Sequence, residues 1–304
     1  MGTFSRRRSE TAGTPRTAGR SGRFPQRNIG PFLRGRGTAK TPPPIIAAMR
    51  ENAVKKNLAA GGRAFGSMIF EFFSPGVPRI LKNAGAEYAM YCMEHTGAGY
   101  ESVKPHFTLC RALGVVPLVR VPGTEYDFIA RALDCGALGV MVPLVDTREQ
   151  AEFIVSCTRY PPAGRRGAAF GFAHDDYEGG DVVEKIRMIH ERTLVIAMIE
   201  TAKGLENAEA IAAVPGVDVL WLGHFDLTNF LGIPAQFSHP KYREALKRIV
   251  SAAEKNGKAA GYMAADEALG REYLGHGFRM IATGTDQGML QAATKHVIDA
   301  LRVA

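Results

Sequence analysis

The sequence predicts an α/β protein, a (β/α)8 TIM barrel preceded by a disordered basic arm. Three observations carry that prediction. Eight short apolar runs recur between Phe65 and Thr283, each of strand length. Helical segments separate them, and several end close to a glycine. Acidic and basic residues follow several of the apolar runs directly, where a parallel barrel opens its mouth.

The arm comes first. Residues 1–48 are rich in Gly, Ser, Thr, Pro and Arg, with Arg6-Arg7-Arg8 and Pro42-Pro43-Pro44. Such a segment buries too little apolar surface to offset its ordering entropy. Residues 1–50 carry eleven Lys or Arg and one acid, Glu10, a balance of +10. The other 27 basic and 29 acidic residues leave −2 on residues 51–304, so the formal +8 belongs to the arm. Three readings of the arm stay open: an extension upstream of a true start at Met49, an organelle-targeting peptide, or a tail that binds polyanions. The near-neutral body gives no sign of a nucleic-acid surface. No apolar run reaches the ~20 residues that span a bilayer. Cys92, Cys110, Cys135 and Cys157 form no Cys-x-x-Cys pair, which argues against a disulfide framework or zinc knuckle and fits a reducing, cytoplasmic setting.

Residues 49–304 form the expected barrel domain. Its strand candidates are Phe65–Phe70, Tyr88–Cys92, Val115–Val121, Leu138–Leu144, Leu194–Ile199, Val219–Leu222, Ala259–Met263 and Arg279–Thr283. Helical candidates between them include Pro78–Ala84, Glu125–Asp134, Arg148–Thr158, Gly204–Ala213 and Lys241–Asn256. Gly85, Gly114, Gly136, Gly257 and Gly277 stand where helix C-caps are needed. The stretch Arg159 to Gly180 breaks the rhythm. It is Gly-, Pro- and aromatic-rich and reads as a long functional loop over the barrel mouth. A doubly wound sheet is the alternative fold, but no Gly-x-Gly-x-x-Gly follows the first strand.

Candidate chemistry collects at the strand ends. The run Leu194–Ile199 stops at Glu200, and the run Val217–Leu222 leads through Gly223-His224-Phe225 to Asp226. Two carboxylates from neighbouring strands can hold a divalent metal. The second strand ends in Cys92-Met93-Glu94-His95, the third in Arg120, and Thr285-Asp286 follow the eighth. A metal would act as Lewis acid on a keto oxygen, Arg120 would neutralise developing charge, and His95 would move protons. Each residue also fits a bland role. Glu200 suits a helix cap or a lysine pair, Asp226 an N-cap, and Arg120 a buried ion pair. Cys92 reads as a small buried filler, Asp286 as an aid in closing the mouth, and Phe70, Phe72 and Phe73 as packing or pocket lining. No lysine ends a predicted strand, which argues against a Schiff base; Lys203 is the nearest alternative.

These motifs resemble the metal-dependent class II pyruvate aldolases of the HpcH/HpaI family, the 4-hydroxy-2-oxoheptanedioate aldolase type. The carrying segments are Glu94-His95, Val119-Arg120, Arg159-Tyr160-Pro161-Pro162-Ala163-Gly164-Arg165-Arg166-Gly167, Ile199-Glu200-Thr201 and Asp226-Leu227, and the resemblance spans Met49 to the C-terminus. It implies a (β/α)8 barrel in a hexamer with exchanged C-terminal helices. It implies cleavage of a 4-hydroxy-2-oxo acid to pyruvate and an aldehyde with Mg2+, Mn2+ or Co2+. Carried over position by position, Glu200 and Asp226 match the metal ligands. Arg120 matches the arginine beside the keto oxygen, and His95 the proton-transfer histidine. Asp134 matches an aspartate that assists that histidine from a neighbouring subunit. Met198, Gly223, His224 and Phe225 fall at substrate-binding positions.

Three positions depart from the family's usual pattern. Its Asp-Gly-Glu-His reads Cys92-Met93-Glu94-His95 here, its Gln-Ile-Glu reads Met198-Ile199-Glu200, and its Gly-Pro-x-Asp reads Gly223-His224-Phe225-Asp226. Two other functions compete. One is a malyl- or citramalyl-CoA lyase on the same metal pair. The other is a non-catalytic barrel whose arm binds polyanions.

Overall fold

The computed structural model describes residues 49–303, so the arm expected at 1–48 lies outside the described residues. In chain order the elements are α1 (Ala53–Ala59), β1 (Ala64–Ile69), α2 (Val77–Asn83), β2 (Tyr88–Cys92), α3 (Tyr100–Leu113), β3 (Val116–Arg120), α4 (Tyr126–Asp134), β4 (Gly139–Val142) and α5 (Arg148–Thr158). There follow α6 (Val182–Arg192), β5 (Leu194–Ile199), α7 (Ala202–Glu206), α8 (Ala208–Ala212), β6 (Val219–Leu222), α9 (His224–Phe230), α10 (Pro240–Lys255), β7 (Ala259–Met263), α11 (Glu267–Gly275), β8 (Met280–Thr285) and α12 (Asp286–Arg302). Each strand pairs in parallel with the next, and β8 closes on β1, which completes the (β/α)8 barrel.

All eight expected strands are present, with ends displaced by at most two residues. The five expected cap glycines all take positive φ, as C-cap chemistry requires. The helix expected over Gly204–Ala213 resolves into α7 and α8, which meet at Asn207.

Side-chain alternation decides what faces inward. In β2, Tyr88 and Met90 pack inside the barrel with Leu118, Ile196 and Trp221. Ala89 and Tyr91 point the other way, toward Phe107 and the helices. The inward rows run Val116, Leu118 in β3, Leu194, Ile196, Met198 in β5, and Val219, Trp221 in β6. One step further along those rows come Cys92, Arg120, Glu200 and Gly223, at the C-terminal mouth. The other end is stoppered by α1, whose Val54 and Leu58 join the inner core. Asn52 caps α1 and donates to the carbonyls of Leu138 and Arg192, both at 3.0 Å.

The stretch Arg159–Gly180 does not cover the mouth. It lies against the C-terminal ends of α3, α4 and α6, which lead into the strand starts. Arg166 donates to Asp134 at 2.6 Å, Arg111 donates to the Ala173 carbonyl, and Arg192 to the His174 carbonyl. The sequence rhythm located the loop but not its end of the barrel. Its buried arginine and tyrosine explain the placement, because they need the carboxylates and carbonyls that gather at those helix ends.

The last helix leaves the barrel. Of α12 only Asp286 is buried, and Leu290, Val297 and Leu301 are mostly exposed. Beside β1 and β8, where a final helix would pack, Phe65, Leu274, Ile281 and Thr283 line a groove of about 470 Å3. No described helix is long and apolar enough to cross a membrane.

Candidate active site

A cavity of about 290 Å3 opens at the C-terminal mouth. It is lined by His95, Arg120, Met198, Glu200, Gly223, His224, Phe225 and Asp226, which are all the site residues expected from sequence except Asp134. Met68, Phe70, Trp221, Leu222, Met263 and Thr285 complete the lining.

Glu200 is buried, and its Oε1 accepts from the Leu144 N–H at 2.7 Å. It caps no helix: Thr201 does that for α7. Its room is made by Gly223 on the neighbouring strand, where a Cβ would stand 2.3 Å from Glu200 Oε2. Any side chain at Gly223 would therefore displace this carboxylate. Asp226 sits in the first turn of α9 with Gly223 at the N-cap, and no protein group bonds its carboxylate among the described residues. Burial, with the nearby Glu94 and Asp226 charges, pushes Glu200 up to about 7, against the Leu144 hydrogen bond and Arg120.

Arg120 is buried at the end of β3. Its Nε and Nη2 donate to Cys92 Sγ at 3.3 and 3.0 Å, and Phe70 lies with its ring centroid 5.3 Å away. Cys92 Sγ also accepts from the His95 backbone N–H at 3.3 Å. The thiol is thus more than filler: it aims the guanidinium. Glu94 Oε2 approaches Arg120 Nε at 3.1 Å and His95 Nε2 at 3.6 Å, but off hydrogen-bond geometry, so this buried oxygen has no satisfied bond. His95 itself is half-exposed at the rim.

Phe70 is fixed through Asp286, whose carboxylate accepts from the backbone N–H groups of Phe70, Glu71 and Phe72 at 2.9, 3.0 and 2.7 Å. The expected role of Asp286 in closing the mouth takes this form: it ties the turn after β1 to the end of β8. His224 packs among Phe225, Tyr262 and Phe237, with ring centroids 4.5, 5.1 and 5.6 Å away. Burial pushes its imidazole down to about 4, against the pull of Asp226.

Asp134 stands apart from the cavity. It ends α4, its side chain is 48% exposed, and Arg166 holds it at 2.6 Å. Sequence reasoning left Met68 and Met263 out of the site and, though it placed Cys92 and Glu94 at the end of the second strand, gave neither a role there. The signal for three of them was the inward row: Met68, Cys92 and Met263 all continue or end such rows on their strands.

Comparison with known proteins agrees with this geometry. Residues 75–293 match the HpcH/HpaI aldolase/citrate lyase family. A 5-keto-4-deoxy-D-glucarate aldolase from Escherichia coli is 33% identical over 229 residues, covering 75% of this chain and 89% of that protein. An HpcH/HpaI aldolase from Desulfitobacterium hafniense superimposes with a TM-score of 0.78 at 30% identity, over 82% of this chain and 96% of the other. A family protein from Burkholderia cenocepacia gives a TM-score of 0.77 at 31% identity, over 83% and 99%. With the fold, the mouth cavity and the sequence match in agreement, this chain belongs to the HpcH/HpaI aldolase/citrate lyase family.

Proposed function

We propose that the protein is a divalent-metal-dependent carbon–carbon lyase that cleaves a 4-hydroxy-2-oxo acid to pyruvate and an aldehyde. The observation that carries this reading is one cavity holding Glu200 and Asp226 beside Arg120 and His95. The donor set fits a hard cation. Among the described residues Glu200 and Asp226 repel each other, no protein group donates to the Asp226 carboxylate, and Arg120 offsets the charge on Glu200. Among the described residues no three His, Cys, Asp or Glu groups gather to enclose a metal. Glu200 and Asp226 would hold Mg2+, Mn2+ or Co2+ and leave the other positions to substrate and water oxygens, as Mg2+ commonly prefers. When bound, the cation supplies Lewis acidity toward the 2-keto oxygen.

The chain's own groups do the rest. Arg120, held by Cys92 where it lines the cavity, stabilises the enolate oxygen and substrate carboxylate. His95 takes the 4-hydroxyl proton as the C3–C4 bond breaks. The bonding pair passes to C3 as the enolate, and a proton returned to C3 gives pyruvate. Gly223 leaves the room that the Glu200 carboxylate occupies at the cavity.

Two further readings belong to this proposal. The groove beside β1 and β8 receives α12 of a second copy, which supports a homo-oligomer. Asp134, exposed and braced by Arg166 away from its own cavity, acts at a neighbouring subunit's site, as the family resemblance implies. The four free cysteines suit a reducing cytoplasm.

The test is pyruvate release from a panel of 4-hydroxy-2-oxo acids, with EDTA and then Mg2+, Mn2+ or Co2+ restored. Release that EDTA abolishes and metal restores is expected. Folded protein that releases no pyruvate from any acid would move the assignment to the CoA-thioester lyase or to a non-catalytic barrel.

A further inference from the structure

Arg120 is supported from two directions. Cys92 Sγ accepts from its Nε and Nη2 at 3.3 and 3.0 Å, and the Phe70 ring centroid lies 5.3 Å from its Cζ. Cys92 is framed by β2 and by its register with Arg120 on β3. Phe70 has no such frame. From Phe70 to Gly76 the chain between β1 and α2 is neither strand nor helix. A connecting segment of that kind is set by the few bonds that hold it.

Those bonds come from the other end of the chain. Asp286 Oδ1 accepts from the Phe70 N–H at 2.9 Å, and Oδ2 accepts from the Glu71 and Phe72 N–H groups at 3.0 and 2.7 Å. Both carboxylate oxygens are engaged by three consecutive N–H groups, and such charge-assisted bonds are the stronger kind. Core packing does not explain this burial, because Asp286 is the only buried residue of α12. Its neighbour Thr285 lines the cavity and caps α12, with Oγ1 accepting from the Gly288 N–H at 3.2 Å. The junction of β8 and α12 is thus fixed at the mouth. Asp286 carries that placement across to Phe70, which lines the cavity, while Asp286 does not.

We propose that Asp286 is a positioning residue for Arg120. By holding the Phe70–Phe72 segment it seats the Phe70 ring against the guanidinium, and so fixes Arg120 where the enolate forms. The proposal rests on the lyase reading above.

The experiment is a double-mutant cycle of Asp286→Asn and Phe70→Leu in the full chain with Mg2+ or Mn2+. It measures kcat/KM for pyruvate release, per folded protein, from the 4-hydroxy-2-oxo acid that the parent cleaves fastest. Asp286→Asn keeps the shape of the side chain but turns one acceptor into a donor that faces backbone N–H groups. Phe70→Leu keeps an apolar side chain and removes the ring. Each should lower kcat/KM by roughly 10-fold, the size of a desolvated contact between a ring and a guanidinium. The double variant should be no slower than the slower single variant, to within about 2-fold. Losses that multiply would show that Asp286 serves the barrel independently of the ring, and they overturn the proposal alone. Asp286→Asn at the parent's rate overturns it too. Phe70→Tyr restores the ring and should match the parent to within about 2-fold. Phe70→Leu at the parent's rate removes the second link by itself, whether or not Asp286→Asn folds. No pyruvate from the parent with any acid overturns both the proposal and the lyase reading.

Discussion

Buried charge collects at both ends of this barrel, and the two collections are built on different terms. At the strand starts, Arg111, Arg166, Lys185 and Arg192 face Asp134, Asp175 and Asp176. Cations and anions are near balance, and Asp175 accepts from Lys185 at 2.8 Å and from the N–H groups of Gly171 and Phe172 at 2.7 and 2.9 Å. Burial alone would raise Asp175, but these donors hold it below its ordinary value. At the mouth, Glu94, Glu200 and Asp226 crowd around one arginine, and burial with like charge raises Glu200. Matched charge fixes a loop. Unmatched charge beside a cavity is held in readiness for something that binds.

The sharpest way to break this contrast is to neutralise one acid at each end. Glu200→Gln keeps the acceptor for Leu144 and removes a carboxylate that is costly to ionise. Pyruvate release should vanish, while in EDTA the thermal midpoint should rise by a few degrees, since each kcal/mol relieved is worth about 2–4 °C in a domain of this size. If Glu200→Gln lowered the midpoint instead, the mouth carboxylate would be structural. Asp175→Ala should do the reverse. It removes the partner of Lys185 and the acceptor of three loop N–H groups, those of Gly171, Phe172 and Tyr177, at a cost of about 3–5 kcal/mol. Chemical denaturation reads that loss, and a cost under 1 kcal/mol would mean the lower cluster does little to hold the loop.

A smaller effect sharpens the mouth side. Cys92→Ala removes the acceptor that aims Arg120, and a hydrogen bond to a charged group is worth about 1.5–3 kcal/mol. The loss should appear in kcat, by roughly 10-fold or more, with a smaller change in KM. Cys92→Ser, which keeps an acceptor, should recover part of it. Equal rates in Cys92→Ala and the parent would return Cys92 to the role of filler.

The same contrast explains what the sequence made legible. Strand positions follow from apolar runs, so all eight strands and the placement of Arg120, Glu200 and Gly223 at the mouth could be read from period-two alternation. Asp226 could be read from its distance past β6. Cys92 could not, because its role depends on a guanidinium brought from β3 by the Cys92–Arg120 register. The loop was misplaced for a related reason. A loop as long as Arg159–Gly180 is usually functional, and length alone suggested the mouth. In the structure its residues are structural. Arg159 donates to the His190 carbonyl, and a Cβ on Gly164 would meet the Ser156 carbonyl at 2.4 Å. Gly167 N–H donates to Tyr126 Oη at 2.8 Å. Nothing in the order of those residues says which end of a barrel they brace.

The smallest predicted effect comes from the histidines of the lower cluster. His190 Nε2 accepts from the Tyr160 N–H at 2.7 Å, a bond that protonation there would break. Burial, then Arg159 and Arg166, push His190 down to about 4. Burial, then Arg166, push His174 down to about 4, against the pull of Asp134 and Asp175. In the unfolded chain both titrate at about 6.5. Between those limits the unfolded state binds more protons, so stability rises with pH there. The contribution is complete above about pH 6.5 and is lost as pH falls toward 4. For the buried His174 the slope is at most about 1.4 kcal/mol per pH unit. His224 at the mouth has the same sign, so the two ends must be separated by substitution. His190→Gln keeps an acceptor for Tyr160 and removes one titration. Thermal midpoints from pH 4.5 to 7.5 should fall less steeply on acidification in that variant than in the parent. A slope unchanged by His190→Gln, but flattened by His224→Gln, would place the acid-sensitive element at the mouth and reverse the assignment of matched charge to structure.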